Sequence, residues 1–236
     1  MLSADLSPAE REASNSEAAG FFIDHVSRRY ALLAGGGQAP DDLVTALIRE
    51  ESNGQRLTPD EVIRFCLTLV FAGAETTTFL LGNLVAALLA HPDLYGRMRA
   101  DRALIKPFIQ ETLRWSAPPQ RLFRIASADC RLGGAEIAAG DWVALLFAAA
   151  NHDPDVFDDP SAFRLDSPNA HQQLTIGNGV HHYLGAGLAS LEAECLVTAM
   201  LDRFVVLKPG EGPLIRQTAS LLNYGQDHCP ARLIEA

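Results

Sequence analysis

Glu75 and Thr76 stand side by side near the middle of an apolar run over residues 62–90, and their types and placement describe acid–base chemistry. A carboxyl in apolar surroundings suits general acid or base work near neutrality. The same two residues can instead cap a local helix distortion, with threonine bonding back to a main-chain carbonyl. Both readings stand at this point. Glu111 and Arg114 lie three residues apart, the spacing at which a carboxylate and a guanidinium meet on one helix face. A third group gathers in the glycine-rich segment 176–185, where His181, His182 and Tyr183 are consecutive. Neighbouring histidines point apart and no partner follows at four residues, so no zinc site is expected. The Tyr183 phenol has two candidate roles from its own chemistry, a general acid or a packing group.

The elements that must position these groups read mainly as helices. Residues up to about Asn15 are polar and aperiodic, and a flexible tail over 1–15 ahead of a single domain over 16–236 is expected. Helices are predicted over 18–33 and 41–51. Thr58-Pro59-Asp60-Glu61 combines an N-cap, a proline at the first helical position and a glutamate three residues after the cap. It should start a long helix that ends at His91-Pro92, with two more helices over 92–100 and 104–115. Short β-prone runs separated by Gly133-Gly134 and Ala139-Gly140 predict a small meander over 124–147. Residues 148–179 carry three X-Pro breaks and little period, and so long an irregular stretch usually holds something functional. A helix returns over 185–204 with Leu184, Leu188, Leu191 and Cys195 on one stripe, and short strands close the chain over 205–207 and 231–234.

Composition bounds the partners. The 236 residues are 48% apolar and carry 29 acidic against 19 basic groups, a formal net charge of -10. Nucleic acid and anionic membrane surfaces both call for clustered Lys and Arg, so neither is an expected partner. A carboxylate at mid-bilayer costs about 2.5–3.5 kcal/mol, so Glu75 argues that the apolar run is a core helix and not a membrane span. Cys66, Cys130, Cys195 and Cys229 form no CxxC pair and no disulfide framework. With no apolar signal region near Met1, a cytoplasmic protein with reduced thiols is expected.

Three motifs occur in a fixed order: AGAETT over 72–77, ETLR over 111–114 and IGNGVHHYLGAGLASLE over 176–192. Their order and spacing resemble the C-terminal part of a bacterial cytochrome P-450, the haem-thiolate monooxygenases. The resemblance implies a truncated P-450-like fold, mainly α with a small β component. It also implies that Glu75 and Thr76 are the proton-relaying acid–alcohol pair, and that Arg124 and His181 face the haem propionates. The family's glycine-rich segment reads FGxGxHxCxG, and its cysteine ligates haem iron; Tyr183 stands at that place here. The family's Phe, Arg and Arg are replaced by Ile176, Ser190 and Ala162. With the arginine at 162 gone, the resemblance predicts a charge network reduced to Glu111 and Arg114 alone.

A thiolate favours O–O cleavage in a way that a phenol does not reproduce. The expectation drawn is a protein with no cofactor, without haem, catalysing a non-redox cyclisation, isomerisation or elimination on a hydrophobic small molecule of a bacterial specialised-metabolite pathway. Glu75, Thr76 and Tyr183 would be catalytic, and Arg124, His181 and His182 would bind substrate. Two other readings accompany it. One is a non-catalytic auxiliary partner of a biosynthetic enzyme such as a glycosyltransferase, with exposed helix faces also predicting a homodimer. The other is a haem protein with tyrosinate ligation.

Overall fold

In the computed structural model the described residues are 7–52, 54–218, 220 and 222–235. Ser7 opens helix α1 (Pro8–Ala34): its hydroxyl accepts from the Glu10 N–H at 3.3 Å, and the Glu10 carboxylate accepts from the Ser7 N–H at 2.8 Å. With Pro8 at the first position this closes a capping box. Residues 8–15, expected in a flexible tail, are therefore helical; residues 1–6 of that tail lie outside the described residues. The described residues fall into two compact units, divided between Ala74 and Glu75.

In the first unit, α1 and α2 (Leu43–Arg49) are followed by a short hairpin, β1 (Glu51–Ser52) with β2 (Gln55–Arg56), and by the start of α3 (Pro59–Ala90). The expected capping box begins α3, with the Thr58 N–H donating to Glu61 at 2.8 Å and the Glu61 N–H donating to the Thr58 hydroxyl at 3.3 Å. Val26, Ile48, Val62 and Cys66 form the buried cluster, with Phe22, Tyr30 and Leu47 against it. Arg29 is buried on α1 and bonds to the Thr45 hydroxyl and, at 2.5 Å, to the Asp42 carboxylate. Asp42 also caps α2 by accepting from the Thr45 N–H.

The Arg29 guanidinium, and the Thr45 N–H after it, hold the Asp42 carboxyl well below the usual carboxylate range. A depressed folded-state value stabilises the fold above the unfolded carboxyl's pKa, about 4, and that contribution is lost as pH falls through the folded value. Melting followed against pH should therefore show the first unit weakening in acid. Asp42→Asn should be less stable at neutrality and show a flatter acid limb; an unchanged limb would remove Asp42 from the account.

The second unit holds the larger core. Leu80, Leu84 and Leu88 of α3 pack with Leu94, Tyr95 and Met98 of α4 (Asp93–Ala100) and with Phe108, Ile109 and Leu113 of α5 (Ile105–Trp115). Ala193, Val197, Met200 and Leu201 of α7 (Ala186–Arg203) complete it with Leu207 of β7 (Phe204–Pro209). The buried face of α7 is thus Ala186, Ala193, Val197, Met200 and Leu201. The Leu184–Leu188–Leu191 stripe is instead 76%, 62% and 56% exposed. Residues 79–88 of α3 bury one helical face, whereas none of residues 67–78 is buried. That corrects the expectation of a core helix throughout: α3 is long and apolar enough to cross a membrane by length and composition, and its middle is at most half-buried.

The meander is present as two antiparallel pairs, β3 (Leu122–Ile125) with β6 (Trp142–Leu145) and the hairpin β4 (Cys130–Leu132) with β5 (Ala135–Ile137). Gly133 and Gly134 turn that hairpin at φ 56° and 86°, the left-handed region glycine adopts freely. After β6 come the single turn α6 (Phe147–Ala150) and an irregular stretch with 3-10 turns at Ala170–Gln172 and Gly179–His181. Beyond β7 lie β8 (Ile215–Arg216), β9 (Gln226–His228) and β10 (Ala231–Glu235); β8 pairs with β9 and β10 with β7.

Candidate functional site

Arg114 is the anchor of the site. Its Nε and one terminal nitrogen bond the two oxygens of Glu111 at 2.9 and 2.7 Å, a fork the i, i+3 spacing of α5 allows. Its remaining hydrogens go to three carbonyls of the irregular stretch: Asn151 at 3.0 Å, Pro160 at 2.8 Å and Ala162 at 2.7 Å. Glu111 in turn accepts the Arg164 main-chain N–H at 2.8 Å, and Phe157 lies under the guanidinium. Both side chains are at most 2% exposed. The expected reduction to a lone pair is therefore corrected: the Pro160 and Ala162 carbonyls accept from Arg114 and the Arg164 N–H donates to Glu111. Part of the irregular stretch 148–179 thus forms the cradle of Arg114.

The network continues into the glycine-rich loop. Asn151, fully buried, accepts the Leu174 N–H at 2.7 Å and donates to the Thr175 hydroxyl at 2.8 Å; that hydroxyl donates to the Leu113 carbonyl. One residue further, the Ile176 carbonyl accepts the Tyr183 N–H at 2.8 Å and closes the loop. Gly177, at φ 72°, has no room for a Cβ, which would sit 2.6 Å from the His181 carbonyl. The Tyr183 ring lies over Gly185, where an added Cβ would meet Cζ at 2.9 Å and the phenol oxygen at 3.0 Å. His181 ends the 3-10 turn and, like His182, is exposed. Val180, at the outer edge of the loop, is 97% exposed.

Arg124 sits half-buried on β3 opposite Val143 and bonds its own neighbour's carbonyl, Phe123, at 3.0 Å. Glu75, half-buried on α3, accepts from the Asn223 side-chain amide at 2.8 Å. Thr76 follows it on the same helix, also half-buried. Glu111 and Arg114 are thus joined to the Tyr183 loop, while Glu75 is joined to the segment after β8. Asn151 and Asn223 are the functional partners whose contacts sequence reasoning did not name: Asn151 lies in a motif-like Asn-His-Asp-Pro run, and Asn223 has no local signal.

The donor set fits haem held by an oxygen. Tyr183 supplies a phenol in the loop, Arg124, His181 and His182 offer cationic or hydrogen-bonding groups for carboxylates, and Val180, Leu184 and Leu188 leave apolar surface open. None of the four cysteines lies in the loop; Cys66 is buried in the first unit, Cys130 is on β4, Cys195 on α7 and Cys229 between β9 and β10.

A family model described as Cytochrome P450 matches residues 2–227. The chain is 43% identical over 164 residues to cyclomarin C epoxidase CymV of Salinispora arenicola, covering 70% of this chain and 41% of that protein. It is 34% identical over 226 residues to 6-deoxyerythronolide B hydroxylase of Saccharopolyspora erythraea, covering 95% of this chain and 54% of that one. Among solved structures, CYP109E1 from Bacillus megaterium in complex with testosterone superposes with a TM-score of 0.86 at 28% identity, covering 95% of this chain and 61% of that chain. The chain spans about half the length of the curated relatives it matches. These matches correct the expectation of a protein without a cofactor: proteins of the matched family normally bind haem, and the matches point to haem here. The haem-independent, non-redox chemistry expected from the sequence finds no support in these matches, since the relatives named are an epoxidase and a hydroxylase.

Proposed function

The chain belongs to the cytochrome P450 family, and from that premise we propose that it forms the haem-seating half of an oxidative tailoring site for a hydrophobic biosynthetic intermediate, in a bacterial cytoplasm. The observation that carries this reading is the unbroken chain of hydrogen bonds from the Glu111–Arg114 pair through Asn151 and Thr175 to the loop that presents Tyr183. Such a scaffold anchors the loop at its N-terminal side, and the Tyr183 N–H bond to the Ile176 carbonyl closes it.

In this reading Tyr183 would hold haem through its phenol oxygen, and Arg124, His181 and His182 would meet its carboxylates. Glu75 and Thr76, half-buried on α3, would hold and pass a proton. The exposed side chains Val180, Leu184 and Leu188 give apolar contact. Haem, when bound, supplies redox chemistry at iron; its ligand decides how strongly O–O cleavage is favoured.

The exposed Leu184–Leu188–Leu191 stripe favours a second reading, a non-catalytic auxiliary protein whose apolar face is covered by a second copy or by a partner biosynthetic enzyme. One experiment separates the two: titrating the purified chain with ferric haem. A saturable Soret band at one haem per chain is expected. Absence of any band at saturating haem would reject the haem-seating reading in favour of the auxiliary one.

A further inference from the structure

Residues 222–226 form a strap along the second half of α3, with four points of attachment. The Asn223 amide donates to Glu75 at 2.8 Å, Gly225 lies against the Phe79 ring, and Gln226 lies against Gly82 and bonds Asn83 at 3.3 Å. Gly225 is required there, because a Cβ would fall 2.3–2.4 Å from three Phe79 carbons. The strap's other edge is zipped to the chain leaving α5: the Gln120 N–H donates to the Leu222 carbonyl at 2.8 Å and the Tyr224 N–H to the Pro118 carbonyl at 2.7 Å. The Ser220 hydroxyl further accepts the Asn223 main-chain N–H at 3.1 Å. The main chain on both sides of Asn223 is thereby fixed from outside α3, and its side chain is left with one carboxyl to address.

We infer that Asn223 is a positioning residue that fixes the direction in which the Glu75 carboxyl faces. A carboxyl that must hand a proton to a neighbour has to be held in one rotamer, and a charge-assisted amide bond from a rigid strap does this without supplying a competing charge. The role rests on the reading of Glu75 as a proton-handling group, whereas the geometry of the clamp does not.

The test uses the whole chain labelled at glutamate carboxyl carbons, with the Glu75 resonance identified by its loss in Glu75→Gln. In Asn223→Leu, similar in size but without a donor, that resonance should shift while the Tyr224 and Gln120 amides keep their protection from hydrogen exchange. Gly225→Ala, which lifts the strap off Phe79, should shift the same resonance with Asn223 intact. In Glu75→Ala the Asn223 side-chain amide should exchange about tenfold faster, the order expected for losing a bond to a carboxylate. An unmoved resonance in Asn223→Leu would overturn the inference, as would loss of protection at Tyr224 and Gln120, which marks a merely structural role. Failure of the proton-handling reading looks different: Glu75→Gln would leave the solvent isotope effect on haem-loaded turnover unchanged, with the resonance shift still present.

Discussion

Arg114→Ala will destabilise the second unit by about 3–5 kcal/mol, the cost of stranding a buried charge after its partner is removed. At this chain length that lowers the melting temperature by roughly 10 °C. The size follows from how completely the guanidinium is used. Its loss leaves Glu111, 1% exposed at the side chain, with one main-chain donor, and removes the donor from three carbonyls at Asn151, Pro160 and Ala162. Glu111 and Asn151 are buried, as is Phe157 under the guanidinium, so much of the desolvation cost is borne there. Glu111→Ala should also cost several kcal/mol, since it leaves the cation buried. Replacing both by apolar residues, Glu111→Leu with Arg114→Met, should recover part of the loss, the non-additivity expected of residues in contact.

The same variant should loosen the ligand loop before the unit unfolds. Asn151 connects the guanidinium to Leu174 and Thr175, so hydrogen exchange at the Leu174 and Tyr183 amides should rise in Arg114→Ala. Denaturant unfolding with exchange at these two amides checks both statements. A variant that melts with the parent would mean that the network contributes no net stability.

Much of this was legible in the sequence wherever a local pattern carries a physical cause. Thr58 and Glu61 announced the start of α3, and Gly133-Gly134 announced the β4–β5 hairpin, because caps and primed turns depend on residues a few positions apart. The order of AGAETT, ETLR and the glycine-rich loop carried the family. The start of α1 was missed although Ser7 and Glu10 form the same box as Thr58 and Glu61, because the helix that follows is polar in its first turns and offers no apolar period. The stripe of α7 was read correctly as a stripe, but periodicity does not say what covers it. The face that packs inward uses the smaller Ala186 and Ala193, and the leucines point away. The Arg114 cradle was unreadable for a different reason: the Arg164 N–H and the Ala162 carbonyl are main-chain groups, identical whatever the residue, so losing an arginine at 162 looked like losing the network. Glu75 and Asn223 are 148 positions apart, and no spacing rule reaches that far.

Tyr183→Phe will bind haem at least about tenfold more weakly than the parent and with an altered spectrum, because losing a ligand should cost no less than losing one of the outer partners that orient it. The substitution isolates the phenol oxygen. The main chain at Tyr183 is fixed on both sides, its N–H to the Ile176 carbonyl and its carbonyl to the Ala186 N–H, so the phenylalanine ring inherits the place over Gly185. Tyr183→Cys tests the same position from the other side. It places a thiol, a softer and shorter donor, in a loop whose glycines already give the backbone room, and it should move the carbon monoxide difference band of the reduced haem complex towards longer wavelength. The phenol oxygen stands farther from the main chain than a cysteine sulfur by the length of a ring, so a haem seated on Tyr183 must lie differently from one seated on the thiolate that the Tyr183→Cys variant supplies. If Tyr183→Phe keeps the parent's haem affinity and spectrum, the ring over Gly185 is packing, and the iron takes its ligand from elsewhere in the chain or from none.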